Sequence, residues 1–252
     1  MAAEPPESAN QPNVRVIHLL PNLLTIAAVC AGLTAIRFGY ERDFEMAVRL
    51  VLVACVLDGL DGRLARLMNR CSEVGAELDS LADFVNFGVA PVLIMHSWLF
   101  QDFRSAGWIA VLIYTTCCLL RLARFNVSSR SENDDPPSDF FVGIPSPAGA
   151  ILVLLPMIVS FAISDLPLIP PVIGALHICL IGFLMISQTP TYSFKNVAID
   201  RANAKFFLLG AAILTAALLT YLWATLTVLA LAYIGCLIWA YLTSPNSRET
   251  KG

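Results

Sequence analysis

Charge is what this sequence has least of. Only 14% of its 252 residues are Asp, Glu, Lys or Arg, while 57% are hydrophobic. An ordinary soluble domain carries about a quarter charged residues, so a water-soluble globular enzyme is excluded. The formal net charge of −3 says little, because no basic surface of nucleic-acid type is present. Histidine is scarce as well: His18, His96 and His177 form no HxK arrangement and stand beside no plausible Ser or Cys partner. Covalent catalysis through histidine therefore has no support. The seven cysteines, at 30, 55, 71, 117, 118, 179 and 236, fall mostly in apolar segments without CxxC or Cys/His ligand spacing. They read as small buried hydrophobes, not as zinc ligands or disulfide partners. Met1 to Pro12 holds Glu4, Glu7 and several prolines but no basic residue. A secretory signal opens with positive charge, so the first apolar helix is expected to be retained.

What the sequence has in abundance is apolar runs close to the ~20 residues that cross a bilayer as a helix. They predict an all-α polytopic membrane bundle of about eight transmembrane helices, at approximately 17–38, 44–68, 76–100, 107–125, 146–164, 168–187, 205–222 and 225–243. Residues 1–13 read as a disordered cytoplasmic tail, 14–243 as a single transmembrane catalytic domain and 244–252 as a second cytoplasmic tail. The patch Val14 to Leu20 has the character of an interfacial segment. Arginine and lysine orient the chain. Arg15, Arg63, Arg66, Arg70, Arg121, Arg124, Arg130, Lys195, Arg201, Lys205, Arg248 and Lys251, 12 of the 16 basic residues, fall on one side. Arg37, Arg42, Arg49 and Arg104 fall on the other. Both termini are thus expected in the cytoplasm, with the protein in the cell (inner) membrane. The polar stretch Ser128 to Ser138 reads as a cytoplasmic loop. The nearly uncharged last two helices read as packing helices or a subunit contact. No inverted internal repeat of transporter type is visible.

Against this background, Asp58, Asp61, Asp79 and Asp83 place four carboxylates within 26 positions. An acid at membrane depth is costly unless paired, metal-bound or wet, and marks function by default. Asp58 and Asp61, three apart, share one helix face; Asp79 and Asp83, four apart, share another. An antiparallel helix pair would bring the faces together, and like charges so close need counter-charge. Oxygen-only ligands favour Mg²⁺ or Mn²⁺ over zinc, and two such ions could neutralise a pyrophosphate during in-line displacement at phosphorus. Gly62 and Gly75 leave room for close approach, Arg66 can clamp phosphate oxygens, and Ser72 can cap a helix or bind the ligand. Two other readings compete. Ion pairs such as Asp61 with Arg66 could stabilise helix ends. Alternatively, the acids could line a cation path, making the chain a divalent-cation transporter, although they cluster at one end of the spans.

The string Asp58-x2-Asp61-Gly62-x2-Ala65-Arg66-x8-Gly75-x3-Asp79-x3-Asp83 resembles, without gap or substitution, the signature of the CDP-alcohol phosphotransferases. The resemblance implies a six-helix catalytic core with a cytoplasm-facing cavity. It also implies transfer of a phosphatidyl or similar group from a CDP-linked donor to an alcohol, with CMP released. Carried over by position, Asp58 and Asp79 would bridge two metal ions. Asp61 would complete one metal site and Asp83 the other, and Asp83 would also accept the alcohol proton. Gly62, Ala65, Arg66 and Gly75 would shape the CDP site, with Ser72 contributing. Pro21-Asn22-Leu-Leu-Thr25 has the form with which the family's first helix supplies Asn22 and Thr25 to the nucleotide. A homodimer is likewise implied by the resemblance alone.

The signature does not name the alcohol. Through Leu20 to Thr25, Glu73 to Pro91, Arg121 to Asn126, Phe141 to Ala148 and Thr189 to Lys195, the chain is similar to the membrane-integral phosphatidylserine synthases of this family. That similarity implies CDP-diacylglycerol as donor and L-serine as acceptor. Zwitterionic serine needs a cation for its carboxylate and an acceptor for its ammonium group. Arg121, Arg124 and Lys195 are placed for the first task, and Asn126 or Ser146 could add a hydrogen bond. The same cations also satisfy the positive-inside bias and headgroup contact, which require no substrate. Glycerol 3-phosphate or inositol phosphate as acceptor would need a denser basic pocket, and choline an aromatic cage that is not recognisable here.

Overall fold

A computed structural model describes residues 20–67, 73–101, 104–131, 140–163, 169–187, 190–192 and 204–243. Ser72, Lys195, the two tails and most of the interfacial patch lie outside these residues. The helices are α1 (Leu20–Tyr40), α2 (Phe44–Leu67), α3 (Glu73–Asp83), α4 (Ala90–Leu99), α5 (Arg104–Ser131), α6 (Ser146–Ala162), α7 (Pro171–Ile186), α8 (Ala204–Thr220) and α9 (Leu222–Thr243). A π-helical segment, Phe84–Val89, joins α3 to α4 in one continuous rod. The described residues therefore form eight helical rods, close to the eight expected spans. Leu20–Tyr40, Val74–Leu99, Ser105–Ser128 and Leu222–Ala240 are long and apolar enough to cross a membrane, and Ser146–Ala162, Pro171–Ile186 and Leu208–Thr220 are shorter apolar helices. The protein is an integral membrane protein of helical architecture.

The all-α expectation holds for the architecture of the described residues, with one short ladder added. Strands β1 (Phe140–Val142) and β2 (Pro190–Tyr192) pair antiparallel, Phe141 opposite Thr191. Aromatic and β-branched residues suit a short ladder, and the pairing ties the approach to α6 to the chain leaving α7. Gly143 follows at φ +85°, and a Cβ there would come within 2.6 Å of the Met185 carbonyl, so glycine is required at this turn.

Small residues set the geometry around the acids. The inner face of α1 reads Thr25, Ala28, Gly32, Ala35, Gly39, all buried at helical spacing. Such faces let membrane helices approach closely, and α1 packs most extensively on α2 and then on α4. On α2 the buried stripe Ala47, Val51, Ala54 leads directly into Asp58 and Asp61. The first loop reverses the chain at Arg42, φ +66°, which makes α1 and α2 antiparallel and sets the start of α1 beside the end of α2.

The π segment is held from outside. Its wider turn displaces carbonyls from the regular ladder, and buried carbonyls need donors. The Tyr114 hydroxyl on α5 donates to the Phe87 carbonyl at 2.9 Å, and Thr115 donates to Gly88 at 3.2 Å. The core lies below this point, where Val92, Ile94 and Met95 of α4 meet Leu152, Val153, Met157 and Ile158 of α6 and Ile178 of α7.

Candidate active site

The antiparallel α1–α2 pair and the second half of α3 bring the acids together at one end of the bundle. One carboxylate oxygen from each of Asp58, Asp61 and Asp79 lies within 4.8 Å of the others. Asp83 stands one turn further along and touches the group through Asp58, whose carboxyl is in hydrogen-bonding contact with its own. Two carboxylates at that separation need a proton or a cation between them. Thr25 Oγ1 reaches Asp61 Oδ2 at 2.6 Å and lies 3.1 Å from the Pro21 carbonyl. That bond orients Asp61 from α1, while Asp61 Oδ1 and Asp83 Oδ1 remain buried without hydrogen-bond partners among the described residues.

The cluster fits a divalent cation: hard oxygen donors converge, and two buried carboxylate oxygens lack any other partner. The ion-pair reading finds no support among the described residues. The Arg66 Nε donates to the Gly62 carbonyl at 3.1 Å, with the side chain exposed along its own helix. The ion pairs recorded, Arg37–Glu41 and Arg49–Glu45, lie at the far end of the bundle. Of the cations, Arg121 interacts electrostatically with Asp83.

Gly62 stands on an open part of the α2 surface, one residue after Asp61. A Cβ built on Gly62 would meet no atom within 4 Å, so helix packing does not require glycine there. Asn22 lies half-buried on α1 one turn before Thr25, and Gly75 opens α3 ahead of Asp79. Ala65 lies on α2 between Gly62 and Arg66.

The residues expected around the acceptor diverge. Arg121 is half-buried and donates through a terminal guanidinium nitrogen to Ser146 Oγ at the start of α6. Arg124, one turn away, is exposed and donates to the Ile186 carbonyl at 3.1 Å, at the end of α7. The Asn126 amide donates to Ser80 Oγ at 2.8 Å, bracing α5 against α3. Arg121 and Ser146 are thus joined to each other, Asn126 to the helix that bears Asp83, and Arg124 to the end of α7.

Three features escaped the sequence reading. Asn86 is completely buried one turn beyond Asp83, its amide atoms unpartnered and packed against Gly32. The Tyr114 anchor of the π segment depends on a tertiary contact that no local pattern encodes. Tyr233, on α9, has a buried hydroxyl and interacts electrostatically with Arg121. Its helix also carries Thr225, Thr227 and Tyr241, so composition did not single it out.

Comparison with known proteins agrees with the signature. The CDP-alcohol phosphatidyltransferase family profile matches residues 18–187. A CDP-diacylglycerol–serine O-phosphatidyltransferase of Mycobacterium leprae is 36% identical over 227 residues, 86% of this chain and 73% of that one. The protein of the same name from Helicobacter pylori (strain 26695) is 38% identical over 196 residues, 78% of this chain and 80% of that one. That of Bacillus subtilis is 34% identical over 189 residues, 75% of this chain and 98% of that one.

Proposed function

The chain belongs to the CDP-alcohol phosphatidyltransferase family, and from that premise we propose that it transfers the phosphatidyl group of CDP-diacylglycerol to the hydroxyl of L-serine. The products are phosphatidylserine and CMP. One observation carries the chemistry: Asp58, Asp61 and Asp79 converge, with Asp83 in contact, at one end of the bundle beside open space at Gly62. The names borne by relatives that align over most of the chain carry the choice of serine.

Asp58, Asp61, Asp79 and Asp83 would hold the metal, as two ions of Mg²⁺ or Mn²⁺. When bound, the metal would neutralise the pyrophosphate and ease departure of CMP. The chain's own groups do the rest. Asn22, Thr25, Gly62, Ala65, Arg66, Ser72 and Gly75 surround the CDP moiety. Asp83, with one oxygen free, accepts the proton of the attacking hydroxyl, a general-base role that depends on alignment within hydrogen-bond reach. Arg121, steadied by Ser146, faces the serine carboxylate, because a planar guanidinium pairs well with carboxylate. Arg124 and Asn126 brace helices more than they serve the acceptor, and Lys195 is assigned to headgroup contact at the membrane interface.

The eight rods all cross the membrane, with the first six as the catalytic core and the acids facing the cytoplasm. The acyl chains remain in the bilayer while the headgroup enters among the helices. The molecule works as a homodimer in the cell membrane.

The acceptor assignment is tested with purified protein in liposomes holding CDP-diacylglycerol. L-Serine, inositol phosphate, glycerol 3-phosphate and choline are offered in turn, and CMP and lipid product are measured. Serine should be strongly preferred. Equal or faster turnover with a phosphorylated alcohol would overturn serine as acceptor while leaving the family chemistry standing.

A further inference from the structure

Helix α9 lies outside the region matched by the family, residues 18–187, yet it reaches the acceptor side of the site. Its inward stripe runs Trp223, Leu226, Ala230, Tyr233, Ile234 and Leu237, packed against the core. Trp223 stacks near Phe161 of α6, ring centroids 4.8 Å apart, and the helix climbs from there past α6 toward β2. Tyr233 is the polar member of this stripe. A buried tyrosine hydroxyl normally finds a hydrogen-bond partner, but that of Tyr233 has none among the described residues. Its neighbour by electrostatic interaction is Arg121. The Arg121 Nε is also buried without a partner, while a terminal nitrogen of the same guanidinium is occupied by Ser146. Asp83, which interacts with Arg121 as well, keeps a buried unpartnered oxygen.

Two buried donors without partners among the described residues, the Arg121 Nε–H on α5 and the Tyr233 O–H on α9, thus belong to helices that both bear on α6, and a buried carboxylate oxygen of Asp83 is unpartnered as well. An amino acid bearing a hydroxyl complements that set. Its carboxylate takes both donors, and its hydroxyl turns to Asp83. We propose that Tyr233 is a specificity-determining residue of the acceptor pocket, donating its hydroxyl to the substrate carboxylate alongside Arg121. The inference rests on serine being the acceptor. It gives the C-terminal helix pair a role in substrate choice in addition to packing.

The test is steady-state kinetics of Tyr233→Phe, which keeps the ring and removes the donor. The serine KM should rise roughly tenfold to a hundredfold, the range for losing one hydrogen bond to a charged group. The kcat and the CDP-diacylglycerol KM should stay within about twofold. Serinol, which replaces the carboxylate by CH₂OH, should inhibit wild type and variant equally. Tyr233→His, which retains a ring N–H, should recover part of the serine affinity and covers the case in which the phenylalanine variant melts early. An unchanged serine KM, or an equal loss toward both substrates, would overturn the role of Tyr233. Failure of the wild-type protein to use serine at all would instead overturn the acceptor assignment beneath it.

Discussion

In the proposed reaction Asp83 and Thr25 serve in different ways. Asp83 touches the metal-binding group only through Asp58 and keeps one oxygen unpartnered, an arrangement that suits a base more than a full ligand. Asp83→Asn should lower turnover about 10²–10⁴-fold, the usual worth of general-base catalysis, with CDP-donor binding changed only severalfold. Equilibrium binding of the donor beside CMP-release kinetics checks this, and full activity in the variant would remove Asp83 from the mechanism. Thr25 acts through Asp61 by the 2.6 Å bond that orients it. Groups that orient metal ligands are typically worth 10–100-fold in metal affinity. The metal concentration for half-maximal activity should rise by about that factor in Thr25→Ala, and a cation titration of activity reads it directly. The convergence of Asp58, Asp61 and Asp79 was legible from spacing because i, i+3 and i, i+4 positions share a helix face wherever the helix sits. Arg121 and Arg124 show where that logic stops. They too are three apart, yet one turns to Ser146 and the other to the Ile186 carbonyl, because different helices lie against them.

The element that most shapes the site is the rod running from Glu73 to Leu99. Apolar composition predicted its length, and nothing local announced the π segment at Phe84–Val89. That segment exists because Tyr114 and Thr115 stand ready on α5 to take its displaced carbonyls, a tertiary event invisible in sequence. The β1–β2 ladder was missed for the same reason, since its strands lie 48 positions apart from Val142 to Pro190 and are three residues each. Tyr114→Phe leaves the buried Phe87 carbonyl without its donor. It should destabilise the protein by about 1–3 kcal/mol, the penalty for an unsatisfied buried group. Thermal unfolding in detergent measures this, and a melting temperature equal to that of the wild type would show that the π segment does not depend on the contact.

At the scale of the whole molecule, Asp58, Asp61 and Asp79 gather at one end of the described bundle, and the ion pairs Arg37–Glu41 and Arg49–Glu45 lie at the other. If the positive-inside bias sets the orientation, a fluorescent protein fused to the C-terminus should fluoresce in the bacterial cytoplasm. Alkaline phosphatase fused at the same point should stay inactive. The opposite pair of results would put the site on the wrong face for a cytoplasmic nucleotide. The central claim, that the acidic end performs metal-dependent phosphatidyl transfer, has a direct measurement. Purified protein in liposomes with CDP-diacylglycerol receives labelled serine, then EDTA, then Mg²⁺ or Mn²⁺. CMP and labelled lipid should appear in equal amounts, stop on chelation and resume with the metal. Metal crossing the bilayer without CMP release would contradict the account.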